Sequence, residues 1–146
     1  MCSNARREGI RYRVGGKVNV EAPAYEGKPA VSGKSEWSGC AKIEKHNYWK
    51  QEGNARPVSM LMDSFFEGGA EFEVPTGKIS ALGLRRNVKV NGKIVGKAQS
   101  VKMLTREART QTEKSLHPRW PVVLVNGEMY MFTDKDIIVG QQSLGV

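Results

Sequence analysis

Hydrophobic and polar positions alternate with a period of two along most of the chain, which predicts strands. Ile10, Tyr12 and Val14 alternate with arginines, Val18 and Val20 with Lys17 and Asn19, and Gly15-Gly16 between the two runs predicts a hairpin. Residues 21–38, with Pro23, Gly27, Pro29, Gly33 and several small side chains, read as a long irregular loop. The apolar run 58–66 predicts one strand, ended by Gly68-Gly69, and 71–74 and 79–84 predict two more around Pro75-Thr76-Gly77. Asn91-Gly92 within 88–95 is the strongest hairpin signal, and Asn126-Gly127 between 121–125 and 129–132 predicts a second tight one. A strand over 97–104 is followed by a predicted helix from Thr105, as N-cap, to about Leu116, with Pro118 beyond it. The sum is an α+β fold, mainly an antiparallel β-sheet or open barrel with one or two short helices.

At 146 residues, with 39% hydrophobic and 8% aromatic side chains, the chain has the size and composition of a single globular domain, 1–146. Its apolar runs are too short to span a bilayer, and no apolar stretch follows Arg6 and Arg7 as a signal peptide requires. A cytoplasmic, nucleoid-associated monomer with no membrane contact is expected. The net charge of +8 and pI of about 9.7 favour a polyanionic partner, of which nucleic acid is the commonest in the cytosol. Two cysteines and two histidines at these spacings form no zinc pattern, and neither a metal nor a cofactor is expected.

Cys2 is unusual by position. A small second residue permits removal of Met1, and an α-amine, with a pKa near 8, is substantially unprotonated at neutral pH where a lysine is not. Such an amine attacks an aldehyde to give an imine. The neighbouring thiol then closes onto the imine carbon as a stable thiazolidine. The ring-opened abasic sugar is the aldehyde that DNA damage produces. Taken alone, Cys2 reads as an ordinary second residue.

Three further segments join it. Met62-Asp63-Ser64-Phe65-Phe66-Glu67-Gly68 and His117-Pro118-Arg119-Trp120-Pro121-Val122-Val123-Leu124, with Lys78-Ile79-Ser80-Ala81-Leu82-Gly83-Leu84 between them, follow Met1-Cys2 in the order seen in one family. In this combination the chain resembles the SRAP family, the SOS-response-associated peptidases, over residues 1–4 and 54–132. It differs in carrying Ser3-Asn4 where the family has Gly-Arg, in Gly68 where the family has tryptophan, and in a shortened stretch before Glu67.

The resemblance implies roles. Cys2 bonds the abasic site, Glu67 moves protons, His117 acts at the opened sugar, and Asn54 orients the reacting terminus. Glu67 closes an apolar strand, where a lone carboxylate is partly desolvated, while Glu71 and Glu73 are expected to face water, Glu73 being a rival alignment. His117, with an ordinary pKa near 6.5, can donate or accept a proton, although a histidine at a helix end is also a common cap. Arg56, Arg85, Arg86 and Arg119 are expected to hold DNA phosphate, joined by Lys89, Lys93, Arg106 and Arg109. Trp49 is expected to stack on bases, as Trp37, Tyr48 and Trp120 also could, with core packing the favoured role for Trp120. His46 reads as a surface residue.

The resulting expectation is a DNA-damage protein that crosslinks covalently to abasic sites in single-stranded DNA, with possible autopeptidase activity. Two alternatives stay open: a cysteine peptidase with Cys2 as nucleophile and His117 as base, and a non-covalent single-strand-binding module.

Overall fold

The period-two pattern becomes twelve strands in a computed structural model, which describes residues 4–45, 55–108 and 119–138, the Arg86 side chain excepted. Five of them form a ring: β3 (Lys17–Ala22), β4 (Val31–Lys42), β5 (Arg56–Leu61), β8 (Lys78–Val90) and β9 (Lys93–Glu107). Antiparallel pairings join β4 to β3, β3 to β5, β5 to β8 and β8 to β9. A parallel pairing of β9 with β4, from Glu36 opposite Ser100 to Lys42 opposite Thr105, closes the ring into a barrel. The short strand β10 (Arg119–Pro121) takes over the edge of β9 beyond Met103, where β8 has left it. A four-stranded antiparallel sheet is ordered β2 (Ile10–Arg13), β1 (Asn4–Arg7), β6 (Ser64–Glu67), β7 (Ala70–Glu73).

The architecture is mainly antiparallel β, as the alternation predicts, and the helical content of the described residues is two 3-10 turns, Ile43–Lys45 and Asp134–Asp136. Alternate side chains on each barrel strand are buried: Val18 and Val20, Ser35 and Trp37, Val58 and Met60, Ile79 and Ala81, Val101 and Met103. One continuous core joins these to Ala5, Phe65 and Phe72 of the second sheet. Phe132 sits at its centre, edge-on to Phe65, Phe72, Trp120 and Tyr130 with centroid distances of 5.0 to 5.8 Å.

Both Asn-Gly hairpins form as predicted. Asn91 and Gly92 (φ +52° and +79°) join β8 to β9, and Asn126 and Gly127 (φ +52° and +81°) join β11 (Leu124–Val125) to β12 (Glu128–Met129). Four expectations are corrected. Gly15-Gly16 closes no hairpin, because β2 returns along β1 through a Glu8-Gly9 turn and β3 pairs elsewhere. The expected loop 21–38 holds most of β4, whose serines and glycines masked an alternation that buries only Ser35, Trp37 and Ala41. The single strand over 58–66 is two, β5 and β6, broken at Met62-Asp63 where Asp63 Oδ2 accepts the Glu8 N–H. Thr105 caps no helix, since it lies inside β9 paired with Pro121; the rest of that predicted helix from 109 onward lies outside the described residues.

Candidate functional site

Glu67 ends β6. Directly after it Gly68 and Gly69, both at positive φ, turn the chain into β7, so that Glu67 pairs with Ala70. A left-handed backbone at position 68 suits glycine. Glu67 is 2% exposed and both its carboxylate oxygens are buried.

Two strands bring partners toward it. On β4, a register shift between Trp37 and Gly39 precedes Cys40, which stands opposite Met103 of β9. Burial first, and then the negative charge of Glu67, push the Cys40 thiol above its ordinary value, while Lys102 opposes them. Cys40 thus lies within electrostatic reach of both Glu67 and Lys102. Lys102 donates to the Ser38 carbonyl at 3.4 Å, which fixes the ammonium beside the bulge.

The second partner is β1. Ala5 stands opposite Phe65 and Arg6 opposite Ser64, so β1 runs antiparallel to β6 and its first residue, Asn4, lies toward the Glu67 end. Side chains on the outer part of this sheet lock the arrangement. Phe66 lies under the guanidinium of Arg11 at 4.3 Å and beside that of Arg6 at 5.5 Å. Arg6 Nε also donates to Glu71 Oε2 at 3.2 Å, and the Ser64 hydroxyl donates to the same oxygen. Glu71 is therefore buried, not water-facing as expected, because it anchors Arg6 and Ser64; Glu73 does face solvent.

The remaining expected residues separate. Cys2, Asn54, His117 and Trp49, with His46 and Tyr48, lie outside the described residues. Arg56 was expected to hold phosphate, but it is buried and donates to the Pro29 and Pro23 carbonyls at 2.5 and 2.6 Å, pinning the 23–29 loop across one end of the barrel. With Lys28, Ser35, Arg85 and Gln99 it lines a cavity of about 290 Å³, and Glu67 is not in its wall. Arg119 forks onto Glu44 at 2.7 and 3.0 Å and also donates to the Thr105 carbonyl and hydroxyl, joining β10 to β9 and to the 3-10 turn at Ile43–Lys45. Trp37 and Trp120 are fully buried core residues. Arg85 stands exposed on β8, opposite Gln99, and Arg86 follows it opposite Ala98. The approach of Cys40 and Lys102 had no signal in the sequence, because it depends on the parallel pairing of β4 with β9.

The Arg119 fork carries a pH dependence. Hydrogen bonding to Arg119 lowers the Glu44 carboxyl from 4.5 to about 2. Between those values the folded chain binds fewer protons than the unfolded one, so stability rises with pH there. The contribution is complete above the ordinary value and lost as pH falls through about 2. Glu44→Gln should therefore flatten the acid limb of the thermal unfolding midpoint plotted against pH. An unchanged slope in that window would show that the fork contributes nothing.

Comparison with models of known protein families, with curated proteins and with solved structures finds no match for this chain.

Proposed function

We propose that the chain captures abasic sites in single-stranded DNA through Cys2, with Met1 removed and the α-amine free. The observation that carries the reading is the buried Glu67 at the end of β6, alongside the strand with which the described chain begins. Cys2 lies two residues before Asn4, and two residues of extended chain reach about 7 Å at most. So short a tether, leading from a strand whose first residue lies toward Glu67, supports Cys2 and Glu67 as reacting partners.

The chemistry then follows from the groups. The Cys2 amine adds to the aldehyde carbon of the opened sugar, and water leaves as the imine forms. The Cys2 thiol adds to the imine carbon, its proton passing to nitrogen, and a five-membered thiazolidine results. Glu67 carries protons between amine, thiol and sugar hydroxyl, as a positioned carboxylate does in general acid-base catalysis. The resemblance of 117–124 to the SRAP family supports His117 at the sugar oxygen and Asn54 beside the terminus. Work on DNA is consistent with a nucleoid location, and no helix among the described residues is long and apolar enough to cross a membrane.

Glu67→Gln keeps the shape and removes the proton carrier. It should slow capture of an abasic single strand on the order of 10²- to 10⁴-fold, the usual worth of a positioned acid-base group, with non-covalent affinity nearly intact. Single-turnover crosslinking followed on denaturing gels measures it. Capture at the rate of the unsubstituted protein would remove Glu67 from the mechanism.

A further inference from the structure

Beyond the barrel, β8 and β9 continue as a free two-stranded ribbon. β5 accompanies β8 only as far as Gly83, and β4 accompanies β9 only from Ser100. Among the described residues, 85–99 pair only with each other, from Arg85 opposite Gln99 to Val90 opposite Lys93, and the described side chains along this length are exposed. The stretch contains five lysines and arginines, at 85, 86, 89, 93 and 97, and no aspartate or glutamate.

The two faces of the ribbon differ. Strand alternation, with the register shift between Val88 and Lys89, puts Arg85, Asn87 and Lys89 on one face, opposite Gln99, Lys97 and Ile94. Val88 and Val90, 38% and 53% exposed, stand on the other, together with Lys93, the partner of Val90. Arginine, lysine, asparagine and glutamine are the side chains that reach phosphates and base edges.

We propose that the β8–β9 ribbon is a nucleic-acid arm that lays its Arg85-Asn87-Lys89 face, with Lys97 and Gln99, into the major groove of duplex DNA. This goes beyond abasic-site capture and does not depend on Cys2. The dimensions fit, because a two-stranded ribbon enters a major groove about 12 Å wide, and Arg85 to Lys89 spans about 14 Å of strand. Lys89 on β8 and Lys97 on β9 put a cation on each strand of the ribbon, one toward either backbone of the groove.

Composition selects the occupant. Single strands are held by aromatic platforms, and residues 85–99 contain no tryptophan, tyrosine or phenylalanine. A second copy would set two all-cationic ribbons against each other. Val90, Ile94 and Val95 stand exposed beside the Asn91-Gly92-Lys93 tip, so an anionic bilayer is the competing occupant, and vesicles are included in the test for that reason. Duplex DNA meets both the charge and the shape.

The test is fluorescence anisotropy over a salt series. The probes are an undamaged duplex of about 20 base pairs and a single strand of equal length, with vesicles of anionic phospholipid as a third. The unsubstituted protein should bind the duplex more tightly than the single strand. The triple substitution Arg85→Gln, Lys89→Gln, Lys97→Gln, at exposed positions of the proposed face, should weaken duplex binding about tenfold or more and lower the log-log salt slope by roughly 0.9 per lost contact. Unchanged duplex affinity in the triple variant overturns the proposal. So does equal affinity of the unsubstituted protein for both DNA forms, or binding to vesicles without binding to duplex. Durable adduct formation on abasic single strands is scored separately with the unsubstituted protein, so its failure counts against the Cys2 chemistry and not against the ribbon.

Discussion

Cys2→Ser should lose the durable DNA adduct altogether. Serine preserves the α-amine and the size of the side chain, so the imine with an abasic aldehyde can still form. An imine hydrolyses readily, and its survival depends on the thiol closing the ring. On a denaturing gel the unsubstituted protein should remain attached to an abasic single strand without reductant. The serine variant should appear attached only after borohydride has reduced its imine to an amine. A base-stacked duplex hides the sugar, so adducts should form faster on single strands, and more slowly as salt displaces phosphate contacts. Durable attachment of Cys2→Ser would leave thiazolidine chemistry without support.

The second large effect is on stability. Phe132 is fully buried, and four aromatic rings lie against it, two from the β6–β7 hairpin and two from the 119–138 stretch. Truncating a buried phenylalanine removes its transfer free energy and leaves a cavity, a combined cost of about 3–5 kcal/mol. Each lost edge-to-face pair contributes roughly 0.5–1.5 kcal/mol within such losses. Phe132→Ala should lower the unfolding free energy by about that 3–5 kcal/mol in a urea titration, which for a domain of this size is a large share of the whole. A loss under about 1 kcal/mol would mean that the rings repack and that Phe132 is not the hub joining the two sheets.

Sequence patterning reveals turns better than pairings. Asn91-Gly92 and Asn126-Gly127 announce themselves because their backbones need left-handed conformations that these residue types tolerate. Glu8-Gly9 makes the same kind of turn with a weaker first residue, and Gly15-Gly16 looked like the better one. Strand β4 was illegible for a different reason. Ser32, Gly33, Lys34 and Glu36 cover the outside of a strand whose inward side chains are Ser35 and Trp37, so no apolar alternation surfaces.

The candidate site divides along the same line. Glu67 was singled out by the resemblance of its strand to a family motif, and the fold adds its burial at the end of β6. Cys40 and Lys102 were not, since their approach depends on the parallel β4–β9 pairing, a contact between segments about sixty residues apart. Arg56 and Arg119 read as phosphate ligands because an isolated arginine carries no mark of its partner. The loop carbonyls that hold Arg56 and the Glu44 carboxylate that holds Arg119 appear only in three dimensions.

Intact mass spectrometry of the native protein, alone and after mixing with an abasic single-stranded oligonucleotide, tests the Cys2 chemistry most directly. If that chemistry holds, the free protein is lighter than the full chain by Met1. After mixing, a denaturation-resistant species forms whose mass is that protein plus the oligonucleotide less one water. Retention of Met1 in material that still reacts, or no added mass on the abasic strand, would contradict it.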